Sequence, residues 1–100
     1  MFDPNMLSKL EEIKRLAEDS KVRLEQMEIE GESGGGLVHV TLNGNRKVKS
    51  ISIQADIKSM EKEDLEDLLV VAFGRAMDKV NAINEKEVMS SSQHLFPGFG

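Results

Sequence analysis

Apolar and small residues recur at helical spacing through the first quarter of the chain. They stand three or four positions apart, at Met6, Leu10, Ile13, Ala17, Ser20, Leu24 and Met27. This heptad-like stripe predicts a helix from about Pro4 to Gln26, with Asp3 as its N-cap and Pro4 at its first helical position. Such a helix spans about 34 Å at 1.5 Å per residue. Because a monomer of 100 residues cannot cover all of it, we expect part of the stripe to meet a second chain.

The pattern then changes to alternation with a period of two, which predicts antiparallel strands. The stretch from Met27 to Glu32 alternates apolar or small residues with glutamates. The segment Ser33-Gly34-Gly35-Gly36 follows it and predicts a tight reversal in which glycines adopt positive φ. We expect the second strand from Leu37 to Leu42. One of its faces is formed by Val38, Val40 and Leu42.

A second reversal is predicted at Asn43-Gly44-Asn45, which is a strong hairpin signal. The third strand is expected from Arg46 to Ile53. Ile51 and the last residue of this strand share one face, but Val48 is out of phase with them. A bulge near Lys49-Ser50 would bring all three apolar side chains to the same face.

A second helix is predicted after Ser59, which is suited to act as its N-cap ahead of several acidic residues. Its broad apolar face comprises Leu65, Leu68, Leu69, Ala72, Phe73, Ala76, Met77, Val80 and Ile83, and continues to about Val88 or Met89. Gly74 lies inside this helix and costs about 1 kcal/mol relative to alanine, so we expect another backbone to approach closely there. Residues 1–89 are predicted to form one α+β domain, built as helix, three-stranded antiparallel meander and helix. Residues 90–100 are predicted to be a flexible C-terminal tail.

Composition excludes several classes of protein. The chain has no cysteine, so disulfides, a thiolate nucleophile and a Cys-ligated zinc are excluded. No stretch approaches the roughly 20 apolar residues that a membrane span needs. The first twenty residues lack the apolar core of a secretory signal. We therefore expect a soluble, cytoplasmic protein that does not bind membranes.

The charge balance argues against a simple nucleic-acid binder. The net charge is −5, with 13 Lys and Arg against 18 Asp and Glu, whereas phosphate binding normally needs a basic surface. The distribution is uneven: basic and acidic residues number five and eight in residues 1–30, three and one in 31–54, and five and nine in 55–100. The middle segment alone is basic.

Candidate catalytic and metal-binding patterns are missing from the sequence. His39 and His94 are the two histidines, and neither has further ligands at metal-binding spacing. We expect His39 to be a strand-surface residue. The glycine-rich stretch 31–36 lacks the Gly-Lys-Ser/Thr ending of a phosphate-binding loop and leads into a strand, so a hairpin turn is the better interpretation. The sequence therefore predicts a protein that is not an enzyme, with no catalytic residues, no metal and no cofactor.

Two groups of basic residues are candidate binding surfaces. The first helix contains Lys9, Lys14, Arg15, Lys21 and Arg23. These are interleaved with acids, which is compatible with a salt-bridged, solvated face or with phosphate contact by a projecting helix. The third strand contains Arg46, Lys47 and Lys49. This run is a binding surface, or it holds the lysines with which an edge strand resists aggregation.

Three motifs, in register along nearly the whole chain, resemble one family. The stretch 31–44, Gly-Glu-Ser-Gly-Gly-Gly-Leu-Val-His-Val-Thr-Leu-Asn-Gly, resembles the glycine-rich hairpin of the YbaB/EbfC nucleoid-associated proteins. The stretch 63–69, Glu-Asp-Leu-Glu-Asp-Leu-Leu, continuing to Ala72, Phe73 and Ala76, is similar to that family's second helix. The ending Leu95-Phe96-Pro97-Gly98-Phe99 is similar to its Pro-Gly tail.

The resemblance implies a bacterial, cytoplasmic, nucleoid-associated protein that forms a tweezer-like homodimer. It further implies binding of double-stranded DNA with low sequence specificity, effects on gene expression, and a context shared with recombination-repair or transcription proteins. The family's DNA contacts are placed on projecting helical arms. On this chain the matching positions are the five basic residues of the first helix together with Arg75, Lys79 and Lys86.

Two departures from the family pattern concern local geometry. Gly74 stands where the family usually has asparagine, and Gln54-Ala55 replaces the usual Asp-Pro.

The acidity of the chain leaves two functional hypotheses. The leading one is a homodimer that binds DNA through phosphate contacts and shape. The alternative is a dimeric protein-interaction module that does not bind DNA and serves a DNA repair or transcription partner.

Overall fold

The computed structural model describes residues 4–95, with the side chains of residues 4–90. Helix α1 (Pro4–Glu25) leads into strands β1 (Ile29–Ser33), β2 (Val38–Leu42) and β3 (Val48–Ile53), and helix α2 (Lys62–Leu95) follows. The predicted α+β fold and its order of elements are confirmed. The predicted N-cap, Asp3, lies outside the described residues, whereas Pro4 is the first residue that α1 contains.

The three strands form an antiparallel sheet in the order β1-β2-β3. Burial alternates along β1, as the period of two predicts, and Val38, Val40 and Leu42 are fully buried in β2. The turn between these strands contains Gly34, Gly35 and Gly36, all with positive φ. This hairpin therefore needs glycines because three consecutive positions have positive φ, as the sequence predicted.

A bulge lies at the predicted place in β3. Thr41 pairs with Ser50 and Leu42 pairs with Val48, so Lys49 is the extra residue between the two pairs. The extra residue restores the phase of the strand: Val48, Ile51 and Ile53 lie opposite Leu42, Val40 and Val38, on the same face of the sheet.

The core lies between this face of the sheet and the first half of α2. Ala72, Ala76 and Val80 are fully buried against Ile29 and the inward residues of β2. Small residues on α2 and Gly31 on β1 let the two elements approach closely. The approach is so close that a Cβ added at Gly31 would stand 2.2 Å from the carbonyl oxygen of Ala72. Close approach was predicted at Gly74 instead, and that prediction is wrong for the single chain: a Cβ there would meet no described atom within 4 Å.

Both ends of α2 differ from the prediction. Ser59 is not its N-cap, because its amide and its hydroxyl both donate to the carbonyl oxygen of Asp56 in the preceding turn. The helix begins at Lys62, and the Leu65 amide donates to the Glu61 carbonyl. The helix runs to Leu95 rather than ending near Met89. The flexibility predicted for residues 90–100 remains a prediction, and residues 96–100 lie outside the described chain.

Helix α1 is held at its C-terminal end by the second hairpin turn. The amide of Gly44 donates to the carbonyl oxygen of Leu24 at 2.7 Å, and the side-chain amide of Asn84 donates to the Gly44 carbonyl at 2.7 Å. One turn earlier on α1, the hydroxyl of Ser20 donates to the Glu87 carboxylate at 2.9 Å. Moving backwards along α1 thus moves forwards along α2, so the two helices run antiparallel.

These two helices extend beyond the sheet as a helical arm, which we define as α1 together with α2 from Asn84 onwards. The molecule measures 67 × 23 × 19 Å, and its radius of gyration is 19.3 Å. A compact chain of this length has a radius of about 13 Å. The difference shows that much of the chain projects from the core.

Candidate nucleic-acid interface

The helical arm carries most of the basic residues that the sequence analysis selected. Four of them are exposed, and their ammonium groups form no ion pair or hydrogen bond in the described part of the chain: Lys9, Lys14, Lys21 and Lys86. Their ammonium groups are available for phosphate oxygens without the prior loss of a protein partner.

The two arginines of α1 are held differently. Arg15 contacts Glu12 at 3.9 Å and Asp19 at 3.8 Å on its own helix, and its side chain is 63% exposed. Exposed pairs of this kind contribute little, so Arg15 can exchange them for a phosphate. Arg23 instead pairs with Glu87 across the arm. Because the Glu87 side chain is only 20% exposed and also accepts from Ser20, this pair fixes α1 against α2.

Arg75 and Lys79 lie away from the arm, along the free edge of β1. The Arg75 guanidinium donates to the carbonyl oxygen of Glu32 at 2.8 Å, and the Lys79 ammonium donates to the carbonyl oxygen of Glu30 at 2.7 Å. Both cations therefore satisfy backbone groups of an edge strand, which would otherwise be open to another strand. Sequence analysis missed this role, since the partners are 43 and 49 positions apart.

The basic run that precedes and enters β3 is largely partnered. The Lys47 ammonium lies 3.1 Å from the Glu25 carboxylate, and that of Lys49 lies 3.6 Å from Glu28. The third member of the run donates to an amide rather than to a carboxylate: Arg46 Nε lies 3.0 Å from Asn81 Oδ1. Residues 46–49 have no acidic neighbours in the sequence. In the folded chain, however, Glu25 at the end of α1 and Glu28 just after it lie beside the two lysines of this run.

The total charge of one arm does not favour DNA. The arm contains six Lys and Arg against seven Asp and Glu. Attraction to phosphate therefore depends on where the unpaired lysines stand, or on cations pooled from two chains.

Three potential metal ligands converge on the outward face of the first hairpin. Glu30, Glu32 and His39 place ligand atoms within 4.8 Å of one another. The hydrogen bond with the Glu30 carboxylate raises the pKa of the His39 imidazole above its ordinary value of 6.5, and the charge of Glu32 adds to the effect. The sequence spacing did not reveal this group because its members belong to two strands.

Apolar surface remains exposed on both the sheet and the arm. On β3, Val48, Ile51 and Ile53 face the same way as the core yet are 48%, 50% and 40% exposed, because α2 covers only β1 and β2. On α1, the predicted stripe is exposed at Leu10 and Ile13. Apolar rows of this kind are typical of surfaces that a second chain covers.

Within the described part of the chain, neither helix has a segment both long and apolar enough to cross a membrane.

Comparison with known families accounts for the architecture. A model of the YbaB/EbfC DNA-binding family matches residues 3–95. The chain belongs to the YbaB/EbfC DNA-binding family.

Relatives of this YbaB/EbfC chain are named nucleoid-associated proteins. One from Flavobacterium johnsoniae is 42% identical over 83 residues, which are 83% of this chain and 77% of the relative. Another from Hahella chejuensis is 33% identical over 91 residues, which are 91% of this chain and 84% of the relative. The resemblance predicted from the three sequence motifs is thus confirmed.

The YbaB/EbfC fold of this chain is also found in a solved structure. The crystal structure of an uncharacterized protein from Helicobacter pylori superposes with a TM-score of 0.79, covering 90% of this chain and 97% of the other, at 20% identity. This likeness concerns the fold alone. It supports the order of the elements and the antiparallel meander, and it assigns no role to individual basic residues.

Proposed function

We propose that this protein is a homodimeric nucleoid-associated protein that binds double-stranded DNA with low sequence specificity. It acts in the cytoplasm on the nucleoid, affects gene expression and nucleoid organisation, and performs no catalysis. The observation that supports this proposal most directly is the set of unpaired lysines on a projecting arm, in a chain that belongs to a DNA-binding family: Lys9, Lys14, Lys21 and Lys86.

The contacts are to phosphates rather than to bases. A lysine is a flexible point charge that neutralises phosphate without reading sequence. Stacking on single strands is disfavoured, because the chain has no Trp or Tyr and Phe73 packs against the core. Binding of this kind positions a protein on any duplex and depends strongly on salt concentration.

The homodimer forms through the apolar face of β3. At the opposite edge of the sheet, Arg75 and Lys79 close β1 against further pairing. Among residues 4–90, no such pair of cations covers the β3 edge, and the row formed by Val48, Ile51 and Ile53 continues the core face outward. A second copy that covers this row would remove apolar surface from water and join two arms in one molecule, so the arm cations of both chains act on one duplex.

The alternative is a dimer that binds a repair or transcription protein and no DNA. The observation that favours it is the charge of the second helix, whose first two turns contain Glu63, Asp64, Glu66 and Asp67. Such an acidic surface repels phosphate and suits a basic protein partner.

Fluorescence anisotropy of a labelled duplex of about 30 base pairs separates the two functions. The test variant replaces the four unpaired arm lysines, Lys9, Lys14, Lys21 and Lys86, by glutamine. The matched control replaces four lysines outside the arm, Lys47, Lys49, Lys58 and Lys62, so both variants have the same net charge. We expect the arm variant to bind more weakly and the control to keep its affinity. The slope of log K against log salt should flatten by about 0.9 for each phosphate that the arm variant no longer neutralises.

Each outcome assigns the site or rejects it. Loss of binding in the control with retention in the arm variant would move the site to the basic strand. Equal retention in both variants would reject the arm lysines. If the unaltered protein binds no duplex even at low salt, the DNA-binding proposal fails and capture of a defined protein partner becomes the test of the alternative.

A further inference from the structure

A second candidate site lies on the outward face of the β1–β2 hairpin, away from the arm. Inward positions of these strands are occupied by the core, so the alternating positions Glu30, Glu32 and His39 point to solvent. Glu32 and His39 are direct cross-strand partners, and Glu30 is two residues before Glu32 on the same face. Two paired strands therefore hold the three side chains together.

The separations between these groups are close to those of a metal centre. His39 Nδ1 lies 2.5 Å from Glu30 Oε1 and 3.8 Å from Glu32 Oε2. Ligand bonds of about 2.0–2.2 Å in a tetrahedral centre separate the ligand atoms by about 3.3 Å. Both carboxylates are exposed, so side-chain rotation is enough to reach that geometry without moving the strands.

The orientation of the imidazole adds an independent argument. Nε2 of the ring is the nitrogen that faces Gly36, 3.6 Å from where a Cβ on this glycine would stand. Metal-binding histidines typically donate their other ring N–H to a carbonyl or carboxylate, which fixes the tautomer and the ring plane. Nε2 thus lies beside the glycine-rich turn, and Nδ1 is directed at the two carboxylates.

We propose that Glu30, Glu32 and His39 bind one divalent transition-metal ion of the zinc, nickel or copper type. One imidazole nitrogen with two carboxylates suits these ions, whereas magnesium and calcium prefer oxygen ligands alone. Three protein ligands leave a coordination position open to water or to another molecule. Arg75 and Lys79 stand at the adjacent strand edge but bond backbone carbonyls, so the two carboxylates keep their oxygens for the ion.

Zinc titration of the full-length protein tests this site. The protein is first freed of metal with a chelator and then followed by calorimetry and by the NMR signals of its histidine rings. We expect one zinc ion per chain, shifts of the His39 ring signals at one equivalent, and no shift with magnesium. H39N and E32Q are each expected to weaken zinc binding by more than about tenfold. His94→Asn is the matched control and is expected to leave the affinity unchanged.

Two results would overturn the proposal: zinc binding that is unchanged in both H39N and E32Q, or ring shifts that follow His94 instead. Circular dichroism identifies a variant that fails to fold, in which case the other variant decides. DNA affinity is measured on the same proteins and is expected to be unchanged, so failure of the metal site is distinguishable from failure of the proposed function.

Discussion

The guanidinium of Arg75 on α2 donates to the backbone carbonyl of Glu32 on β1, 43 positions earlier in the chain. Lys79, one helical turn further on, does the same for Glu30. Two cations for which the family resemblance implied DNA contact are therefore engaged in closing a sheet edge. The described part of the chain gives neither of them a carboxylate partner.

Replacing both edge cations tests this structural role. We expect R75Q together with K79Q to lower the free energy of unfolding by about 1–3 kcal/mol, because two exposed backbone carbonyls lose charged donors. The opened edge should also increase self-association beyond the dimer, measured by sedimentation velocity. The double variant K62Q/K86Q makes the same charge change elsewhere on α2. It should neither lower the free energy of unfolding nor increase self-association. Equal stability and equal sedimentation of the two double variants would contradict the edge-closing role.

Gly31→Ala and Gly74→Ala form a matched pair of glycine substitutions. At Gly31 a Cβ would stand 2.2 Å from a backbone oxygen of α2, and backbone cannot yield as a flexible side chain does. We expect the midpoint of urea unfolding to fall, with a loss of about 1–3 kcal/mol in the free energy of unfolding. At Gly74 the single chain offers open space, so alanine should add up to about 1 kcal/mol through helix propensity.

A decrease in stability on Gly74→Ala, instead of the expected increase, would also be informative. Destabilisation there, in a protein that is dimeric, would place the second copy against this turn of α2. A Gly31→Ala variant with unaltered stability would contradict the close contact between β1 and α2.

The proposed dimer surface on β3 is tested by a pair of aspartates on opposite faces of the strand. Ile51→Asp places a charge in the exposed apolar row and is expected to weaken dimerisation by at least about 100-fold, because an unpaired charge would be buried. Ser50→Asp puts the same charge on the other face and should leave the dimer intact. Light scattering coupled to size exclusion measures both. Dissociation by Ser50→Asp alone would move the interface to the outward face.

The titration of His39 follows from its contact with Glu30. With metal removed by chelator, NMR should give a pKa above 6.5 for this imidazole, and E30Q should lower it. Because the folded-state pKa is raised, the ion pair stabilises the fold below the unfolded pKa. That contribution is lost as pH rises through the folded-state pKa. A pKa at or below 6.5 in the unaltered protein would contradict the hydrogen bond.

Local patterns predicted the fold well, because they are carried by neighbouring residues. The heptad-like spacing located α1 to within one residue at its C-terminal end, and the phase error of Val48 located the bulge at Lys49. The end of α2 was misplaced, because serines at 90–92 resemble a loose tail in isolation yet continue the helix.

The candidate sites were less accessible to prediction. The basic character of residues 46–49 disappears once the chain folds, since Glu25 and Glu28 reach Lys47 and Lys49 from elsewhere. The metal candidate likewise requires the strand register that pairs Glu32 with His39. Charges and ligands gathered from distant positions have no periodic signature in a single sequence.

The turn around Asn43 connects elements that are far apart along the chain. Its side chain accepts from the amides of Asn45 and Lys47, at 2.8 and 3.1 Å, while the neighbouring Gly44 bonds both Leu24 and Asn84. Those last contacts join residues 20 and 40 positions apart, so they carry a loop-closure cost that the local turn does not. We therefore expect the hairpin to close before α1 docks against it. In native-state hydrogen exchange, the amides of α1 should open at lower free energy than those of β2.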